Sequence, residues 1–350
     1  MTKRKLNRQQ KWRIDKISDE KARRAEKRDR DISRQMISGE LSSEQQGLVI
    51  AHFGKLIDVE ALEGEDKGTI HRCHFRANIE NIVTGDRVIW RAGSQNTGVI
   101  EAVQPRNSLL QRPDGYGNLK PVASNIDNLV IVASPLPMTY PILIDRYLVA
   151  AENMDIEPVI LMNKKDLITP ENEAKIQELM QTYEGLGYQV LYASATQSHG
   201  LDALQVFLNH RNTVFVGQSG VGKSSLIQVL LPDQELRIGE ISDANRKGKH
   251  TTTTAQLFHL PSGGNLIDSP GIREFGLWHM SEDDLLAGFR EFRPLYGQCK
   301  FRNCRHENEP GCAVIHALEN GLILPERFNN FLKLRESLGE LVVKSRSAQD

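Results

Sequence analysis

Residues 214–226 constrain the fold of this 350-residue chain more than any other stretch. The apolar run Val214–Val216 leads into a glycine-rich turn, and a helical pattern follows from Ser225 to Leu231. This is the strand–loop–helix context of the phosphate-loop motif G-x-x-x-x-G-K-[ST]. The alternative is a glycine-rich turn that matches the motif by chance. The strand-like run before the turn and the helical pattern after it both argue against that alternative. The motif predicts a phosphate-binding loop made of Gly217, Gln218, Ser219, Gly220, Val221, Gly222, Lys223, Ser224 and Ser225.

The loop predicts how a nucleoside triphosphate would be held. Its glycines allow backbone N–H groups to converge on one anion at the positive end of a helix dipole. Lys223 is expected to reach the β- and γ-phosphates and to act in catalysis, while Ser224 is expected to give its hydroxyl to Mg²⁺.

A second motif predicts which base is bound. Asn163-Lys164-Lys165-Asp166 follows the apolar run 158–162, which is typical of a buried strand. The Asp166 carboxylate can accept two hydrogen bonds from guanine, whereas adenine would leave it unpaired, and such a loss discriminates strongly between substrates. A motif of only four residues also occurs by chance, so a surface turn after the strand is the alternative to a base-binding segment. Ser194-Ala195, after the run 189–192, suits a loop whose backbone N–H contacts guanine O6, so the three motifs together predict GTP and GDP as ligands.

Two later segments are predicted to sense the γ-phosphate. The first, residues 249–254, offers threonine hydroxyls to Mg²⁺, with Thr252 and Thr253 as the candidates and the choice between them left open. A solvated strand start is the alternative. The second is the strand-then-D-x-x-G pattern at residues 266–271, in which Asp268 would hold Mg²⁺ through water and the Gly271 N–H would meet the γ-phosphate.

The order of these motifs is unusual. The base motifs precede the phosphate loop, which reverses the usual GTPase order and indicates a circular permutation. The permuted order, the sequences of residues 217–225 and 268–276, and the Cys/His cluster that follows them resemble the ribosome-small-subunit-dependent GTPase A family (RsgA, also called YjeQ). The resemblance extends from about residue 47 to the carboxy terminus. The resemblance implies a role in late assembly of the small subunit.

Charge is distributed unevenly along the chain. Its 44 Lys and Arg against 45 Asp and Glu give a net charge of −1, yet residues 1–34 carry a net charge of +8. We predict that residues 1–46 form a basic flexible arm that contacts nucleic-acid phosphates, with a solubilising tail as the alternative. No apolar run approaches the length of a membrane span, no secretory signal is visible, and four cysteines need no disulfides. We therefore expect a cytoplasmic protein with no membrane partner.

Residues 47–112 contain five short strand-like runs at 48–50, 55–59, 69–75, 86–90 and 98–103, which favour a small barrel with an OB-fold as the leading choice. The family resemblance also implies an OB-fold. Such barrels bind RNA through basic and aromatic groups. Trp90 suits the barrel core equally well, and Cys73 is interpreted as structural. The candidates for RNA contact are Arg72, His74, Arg76, Arg87, Trp90 and Arg91.

Residues 113–280 alternate strands and helices, which predicts an α/β domain with a parallel sheet. Expected helices lie near residues 142–154 and 171–183. Residues 281–350 are predicted to be mostly helical, with helices near 313–321 and 327–338. Within that module, four ligands in fourteen positions match a closed tetrahedral Zn²⁺ site: Cys299, Cys304, His306 and Cys312. Cysteines scattered through a helical domain are the alternative, and His316 is a competing ligand that breaks the spacing.

The residue after D-x-x-G also bears on catalysis. Many GTPases place a water-orienting Gln there, but here it is Ile272. We expect His250 to replace it, as the resemblance also implies, with an exposed loop histidine as the alternative. Three functions remain open: a GTPase acting on ribosomes, a signalling GTPase with protein effectors, and a GTP-gated binding protein. The arm, barrel and zinc module favour the first, with the 30S subunit and 16S rRNA as partners of a monomer whose turnover they stimulate.

Overall fold

The structure is a computed structural model and describes residues 41–54, 56–76, 78–113, 119–232, 255–268 and 280–347. The chain divides after Arg106 into two compact units. This division falls six residues before the predicted end of the barrel at 112.

Five strands form a closed barrel in the first unit. They lie in the order β1-β2-β3-β5-β4, and β4 also pairs with β1, so that the sheet closes on itself. Only the β3–β5 pair among them is parallel. This arrangement confirms the predicted OB-like barrel. The strands are β1 (Gln45–Phe53), β2 (Leu56–Ala61), β3 (Ile70–Phe75), β4 (Arg87–Ala92) and β5 (Thr97–Val103).

Alternation of side chains explains the core of the barrel. Along β2 and β4 every second residue is buried, as expected for strands with one face turned inward. Trp90 is fully buried, and its indole N–H donates to the Gln46 carbonyl at 3.3 Å. Trp90 is therefore a core residue, and its proposed contact with RNA was wrong. Cys73 is also fully buried in this core, as expected for a structural cysteine.

The second unit is built on a mixed sheet in the order β10-β9-β8-β11-β13-β12. Every pairing is parallel except that of β12 with β13, as the βα alternation predicts. A separate antiparallel hairpin precedes the sheet. The strands are β6 (Leu109–Pro113), β7 (Leu119–Ser124), β8 (Asn128–Ala133), β9 (Glu157–Met162), β10 (Gln189–Tyr192), β11 (Asn212–Val216), β12 (Gln256–His259) and β13 (Asn265–Asp268).

The helices of this unit begin and end within a few residues of most predicted bounds. They are α1 (Pro141–Glu152), α2 (Glu173–Gly185), α3 (Asp202–Leu208), α4 (Lys223–Leu230), α5 (Glu282–Gly288), α6 (Ala313–Glu319) and α7 (Pro325–Ser347). Helix α7 is much longer than predicted. Helix α5 starts with a capping box in which Ser281 and Asp284 exchange hydrogen bonds. No described helix has the length and apolar character needed to cross a membrane.

Candidate functional site

The predicted phosphate loop lies between the end of β11 and the start of α4. Two glycines are required by its geometry. Gly217 has φ 141°, and a Cβ there would lie 2.4 Å from the Val132 carbonyl oxygen. Gly222 has φ 97°, and a Cβ there would lie 2.5 Å from Asn163 Nδ2. The loop can therefore pack this closely against its neighbours only with glycine at both positions.

The Lys223 ammonium lies inside the curve of this loop. It donates to the carbonyl oxygens of Gly217 at 2.6 Å and Gln218 at 2.7 Å. Ser219, Ser224 and Ser225 are exposed at the mouth of the loop, whereas Val221 is buried beneath it. A positive charge held among exposed backbone and hydroxyl groups is suited to a phosphate chain.

The Asn163–Asp166 segment is hydrogen-bonded directly to the phosphate loop. Asn163 Nδ2 donates to the Val221 carbonyl at 2.9 Å. Lys164, at φ 56°, donates from Nζ to the carbonyls of Gly220 at 2.7 Å and Leu136 at 2.8 Å. Residues that are more than fifty positions apart in sequence thus form one structure. Asn163 Oδ1 is buried and has no hydrogen-bond partner among the described residues, which leaves an acceptor that a ligand can use.

Asp166 and Ser194 form the other half of the base segment. The Ser194 hydroxyl, which is fully buried, donates a short hydrogen bond to Asp166 Oδ1, and it lies 3.0 Å from the hydroxyl of Thr196. The Ser194 hydrogen bond is the main reason that the pKa of Asp166 is lowered. The carboxylate is thus held ionised, exposed and in a defined orientation. Lys165 ties the two segments together, because its backbone N–H donates to the Ala193 carbonyl at 3.0 Å.

Strand order explains why these motifs meet. The phosphate loop, the Asn163–Asp166 segment and Ser194-Ala195 each follow a strand of the parallel sheet, and the carboxyl ends of parallel strands share one edge. Asp268 ends β13, which pairs in parallel with β11, so it lies at the same edge. The remaining predicted residues at this edge lie outside the described part of the chain: His250, Thr252, Thr253 and Gly271.

A Cys₃His cluster forms the second candidate site. The ligand atoms of Cys299, Cys304, His306 and Cys312 all lie within 4.8 Å of one another. His306 Nδ1 is 3.5 Å from Cys299 Sγ and 3.4 Å from Cys312 Sγ, and these two sulfurs are 3.9 Å apart. Bonds of about 2.3 Å to sulfur and about 2.0 Å to nitrogen would place tetrahedral Zn²⁺ ligands about 3.5–3.8 Å apart. The residues present therefore fit such an ion.

The surroundings of the cluster also suit a metal. Burial lowers the pKa of His306, which favours the neutral imidazole that a metal requires. Glu309 accepts hydrogen bonds from the backbone N–H groups of Arg305, Glu307 and Asn308, which lower its pKa to about 2 and brace the loop. His316, the competing ligand, is not in the group of four; its ring contacts the Asn320 side chain.

Comparisons with known proteins agree with this geometry. The family profile described as RsgA GTPase matches residues 103–278. The "Small ribosomal subunit biogenesis GTPase RsgA" of Hahella chejuensis is 56% identical over 97% of this chain and 98% of its own length. The protein of the same name from Pseudomonas putida is 54% identical over 97% of this chain and 99% of its own. This chain belongs to the RsgA GTPase family.

Two solved structures support the fold of this RsgA-family chain. YjeQ from Thermotoga maritima matches with a TM-score of 0.70 and 32% identity, over 85% of this chain and 99% of that one. YloQ, described as a circularly permuted GTPase, matches with a TM-score of 0.68 and 29% identity, over 85% and 96%. The chain is therefore a GTPase of permuted order, a hydrolase that acts on the guanine nucleotide GTP.

Sequence reasoning missed a loop that contacts both the base segment and the phosphate loop in this GTPase. In the loop at residues 134–139, the Leu136 carbonyl accepts a hydrogen bond from the Lys164 ammonium, and the Met138 carbonyl accepts one from the Gln218 amide at 3.2 Å. Within the loop, Ser134 Oγ donates to the Pro137 carbonyl at 2.8 Å. A signal was present, since these residues directly follow the buried strand β8 at the same edge.

On the barrel surface, three of the residues predicted to contact RNA form ion pairs within the barrel. Arg72 pairs with Asp58 at 2.8 Å, Arg76 with Glu101 at 2.8 Å and Arg91 with Glu44 at 2.7 Å. An RNA phosphate would compete with a carboxylate for each of these three candidates. His74 and Arg87 are exposed.

Proposed function

We propose that this chain binds the small ribosomal subunit and acts in its late assembly, with GTP turnover stimulated by the subunit. The observation that carries the proposal is the joining of guanine and phosphate motifs at one sheet edge, in a chain whose close relatives bear the name of small-subunit biogenesis GTPases. The basic arm, the barrel and the carboxy-terminal module would contact 16S rRNA on the subunit. The protein would act as a monomer in the cytoplasm.

At the base, Asp166 would accept hydrogen bonds from guanine N1–H and the exocyclic amine. The Ala195 N–H would meet O6, with Lys164 and Lys165 framing the ring. The bond from Ser194 supports this role, because it fixes the carboxylate orientation before the base arrives.

At the phosphates, Lys223 would leave the carbonyls of its own loop and bind the β- and γ-oxygens, with N–H groups from residues 217–225 around them. Mg²⁺ would be held by Ser224, by Asp268 through water and by Thr252 or Thr253, and it would neutralise charge on the phosphate oxygens. The Gly271 N–H would meet the γ-phosphate, and His250 would orient the attacking water.

In the carboxy-terminal part, Cys299, Cys304, His306 and Cys312 would hold one structural Zn²⁺. Four protein ligands leave no open position for a reacting water. The ion would therefore stabilise the loop rather than take part in hydrolysis.

The proposal is tested by single-turnover GTP hydrolysis without ribosomes, with saturating small subunits, and with large subunits as the control. We expect slow hydrolysis alone, a large increase with small subunits only, and loss of tight GTP binding or turnover in Lys223→Ala. Equal rates with and without small subunits would refute the ribosomal role and favour a regulatory GTPase with protein effectors.

A further inference from the structure

A buried ionic cluster lies away from the nucleotide site, formed by Asp145, Tyr183, Glu291, Arg327 and Asn330. Asp145 is fully buried and Arg327 is 2% exposed. The carboxylate of Asp145 accepts from Tyr183 Oη at 2.7 Å, from Asn330 Nδ2 at 2.7 Å and from the guanidinium of Arg327. Arg327 Nε donates to Glu291 at 2.7 Å. One guanidinium thus joins two carboxylates far from water.

Aromatic rings enclose this guanidinium. Its central carbon lies 4.5 Å from the ring centroid of Phe289 and 5.7 Å from that of Tyr183. A buried charge is tolerated only while its partners stay in place, because an unpaired ion in such surroundings is very costly. Helix α7, which carries Arg327, is therefore held against its neighbours in one defined position.

The neighbours are the two helices that follow the walls of the nucleotide site. Asp145 lies on the first turns of α1, which begins directly after the 134–139 loop that accepts Lys164 and Gln218. Tyr183 lies on α2, the helix that follows the Asn163–Asp166 segment. Its hydroxyl also contacts the carbonyl of Pro141, at the start of α1, at 3.2 Å. The cluster therefore ties both walls to one helix.

The same helix also supports the Cys₃His loop. One turn beyond Arg327, the ring of Phe331 lies 6.2 Å from that of His306 between centroids. Further along, Arg335 donates to the carbonyl of Arg305 and, at 2.6 Å, to the carboxylate of Glu307. The amino-terminal half of helix α7 thus contacts both the GTPase helices, through Arg327 and Asn330, and the loop of the Cys₃His cluster, through Phe331 and Arg335.

We propose that Arg327 is a positioning residue for nucleotide retention, which makes the rate of GDP release depend on whether α7 is docked on α1 and α2. A partner that shifts α7 would loosen the 134–139 loop and the base segment together. This inference rests on the guanine site proposed above. It adds a route by which binding at the carboxy-terminal part regulates that site.

The test measures release of a fluorescent GDP analogue from the full-length protein, well below its unfolding temperature. For Arg327→Met we expect release to accelerate about tenfold, within the usual range of coupling between sites. Arg327→Lys, which keeps the charge, should lie between Arg327→Met and the wild type. Hydrolysis of GTP already bound, without ribosomes, should stay unchanged, because the phosphate loop is not contacted by the cluster. A general loss of structure would also accelerate release, but it would lower this hydrolysis, so the two readouts together separate the cases.

Arg293→Met is the matched control. Arg293 also joins the carboxy-terminal part to α1, through Glu152, but its side chain is 44% exposed, and Glu152 keeps its ion pair with Arg290 when Arg293 is replaced. We expect release from this variant to match the wild type, since exposed pairs hold little energy. If Arg327→Met does not fold, Asn330→Leu removes one donor to Asp145 while keeping the charge pair, and a severalfold faster release is expected.

The proposal is overturned if folded Arg327→Met, or Asn330→Leu in its place, releases GDP at the wild-type rate. It is also overturned if Arg293→Met accelerates release equally. A wild-type protein that binds no GDP would instead refute the guanine site itself, so the two failures are distinguishable.

Discussion

Among individual residues, the hydrogen bond from Ser194 to Asp166 has the largest effect on the geometry of the base segment. The buried Ser194 hydroxyl orients an exposed carboxylate that would otherwise turn freely in water. Because this bond lowers the pKa of Asp166, the carboxylate stays ionised as pH falls to the ordinary range of aspartate. An ionised, oriented acceptor suits a ligand that presents two adjacent N–H donors.

We expect Asp166→Asn to weaken GTP binding by at least about a hundredfold, because sites built on hydrogen bonds reject ligands that leave them unpaired. Binding of xanthosine triphosphate should improve, since its base presents an acceptor where guanine presents the amine. Competition binding with both nucleotides measures the ratio. Asp202→Asn, which changes an exposed carboxylate paired with His199, is the control and should leave the ratio as it is. An unchanged ratio in Asp166→Asn would count against the assignment.

The loop of the Cys₃His cluster, residues 299–312, is ordered with almost no apolar core. Residues 299–312 contain turns but no regular helix or strand, and their order depends on the four ligands, Glu309 and contacts with α7. Cys312 also caps α6, because its Sγ accepts from the Ile315 N–H at 3.4 Å. Loss of the ion would therefore loosen the loop and the start of α6 first.

We expect Cys304→Ser to lose zinc and to expose amides of residues 299–316 to hydrogen exchange, because metal binding supplies the folding energy of such a loop. GDP binding should persist, since Arg327 still holds α7 on the GTPase helices. His316→Ala is the control and should keep one zinc per chain. Elemental analysis and hydrogen exchange make the measurement. A zinc-to-protein ratio near zero in the wild type would end the idea.

At the scale of the whole molecule, the permuted motif order still builds one nucleotide site. Parallel strands β8, β9, β10 and β11 bring their carboxyl ends to one edge whichever strand comes first in the chain. In this order, the first predicted switch lies between the phosphate loop and β12, outside the described residues. We therefore expect hydrolysis to depend on segments that lie far from the base motifs in sequence.

We expect His250→Ala to keep GTP and subunit binding while losing most of the subunit-stimulated hydrolysis. The reason is that Ile272 cannot orient a water molecule, and His250 is the polar residue beside the predicted threonines. Single-turnover hydrolysis at saturating small subunits is the measurement, and His210→Ala, an exposed histidine on another loop, is the control. Full stimulation in His250→Ala would mean that another group, such as ribosomal RNA, positions the water.

Sequence patterns were enough to predict the strand-like runs of the barrel, the parallel sheet, the permutation and the four residues of the Cys₃His cluster. Each depends on local information: alternation along a strand, a strand–loop–helix pattern around Gly217–Ser224, or ligands within fourteen positions of one another. Local backbone geometry constrains such patterns strongly, so they can be recognised without knowing what packs against them.

Contacts between side chains that are far apart in sequence could be read only from the folded chain. Asp145 and Arg327 are 182 residues apart, and neither stands out from the charged residues around it. Trp90 faces inward and Arg72 faces a carboxylate because barrel closure sets their neighbours, although both occur in strands of similar pattern. The periodicity of a strand says that one face is buried, but the packing of the whole fold determines what each face contacts.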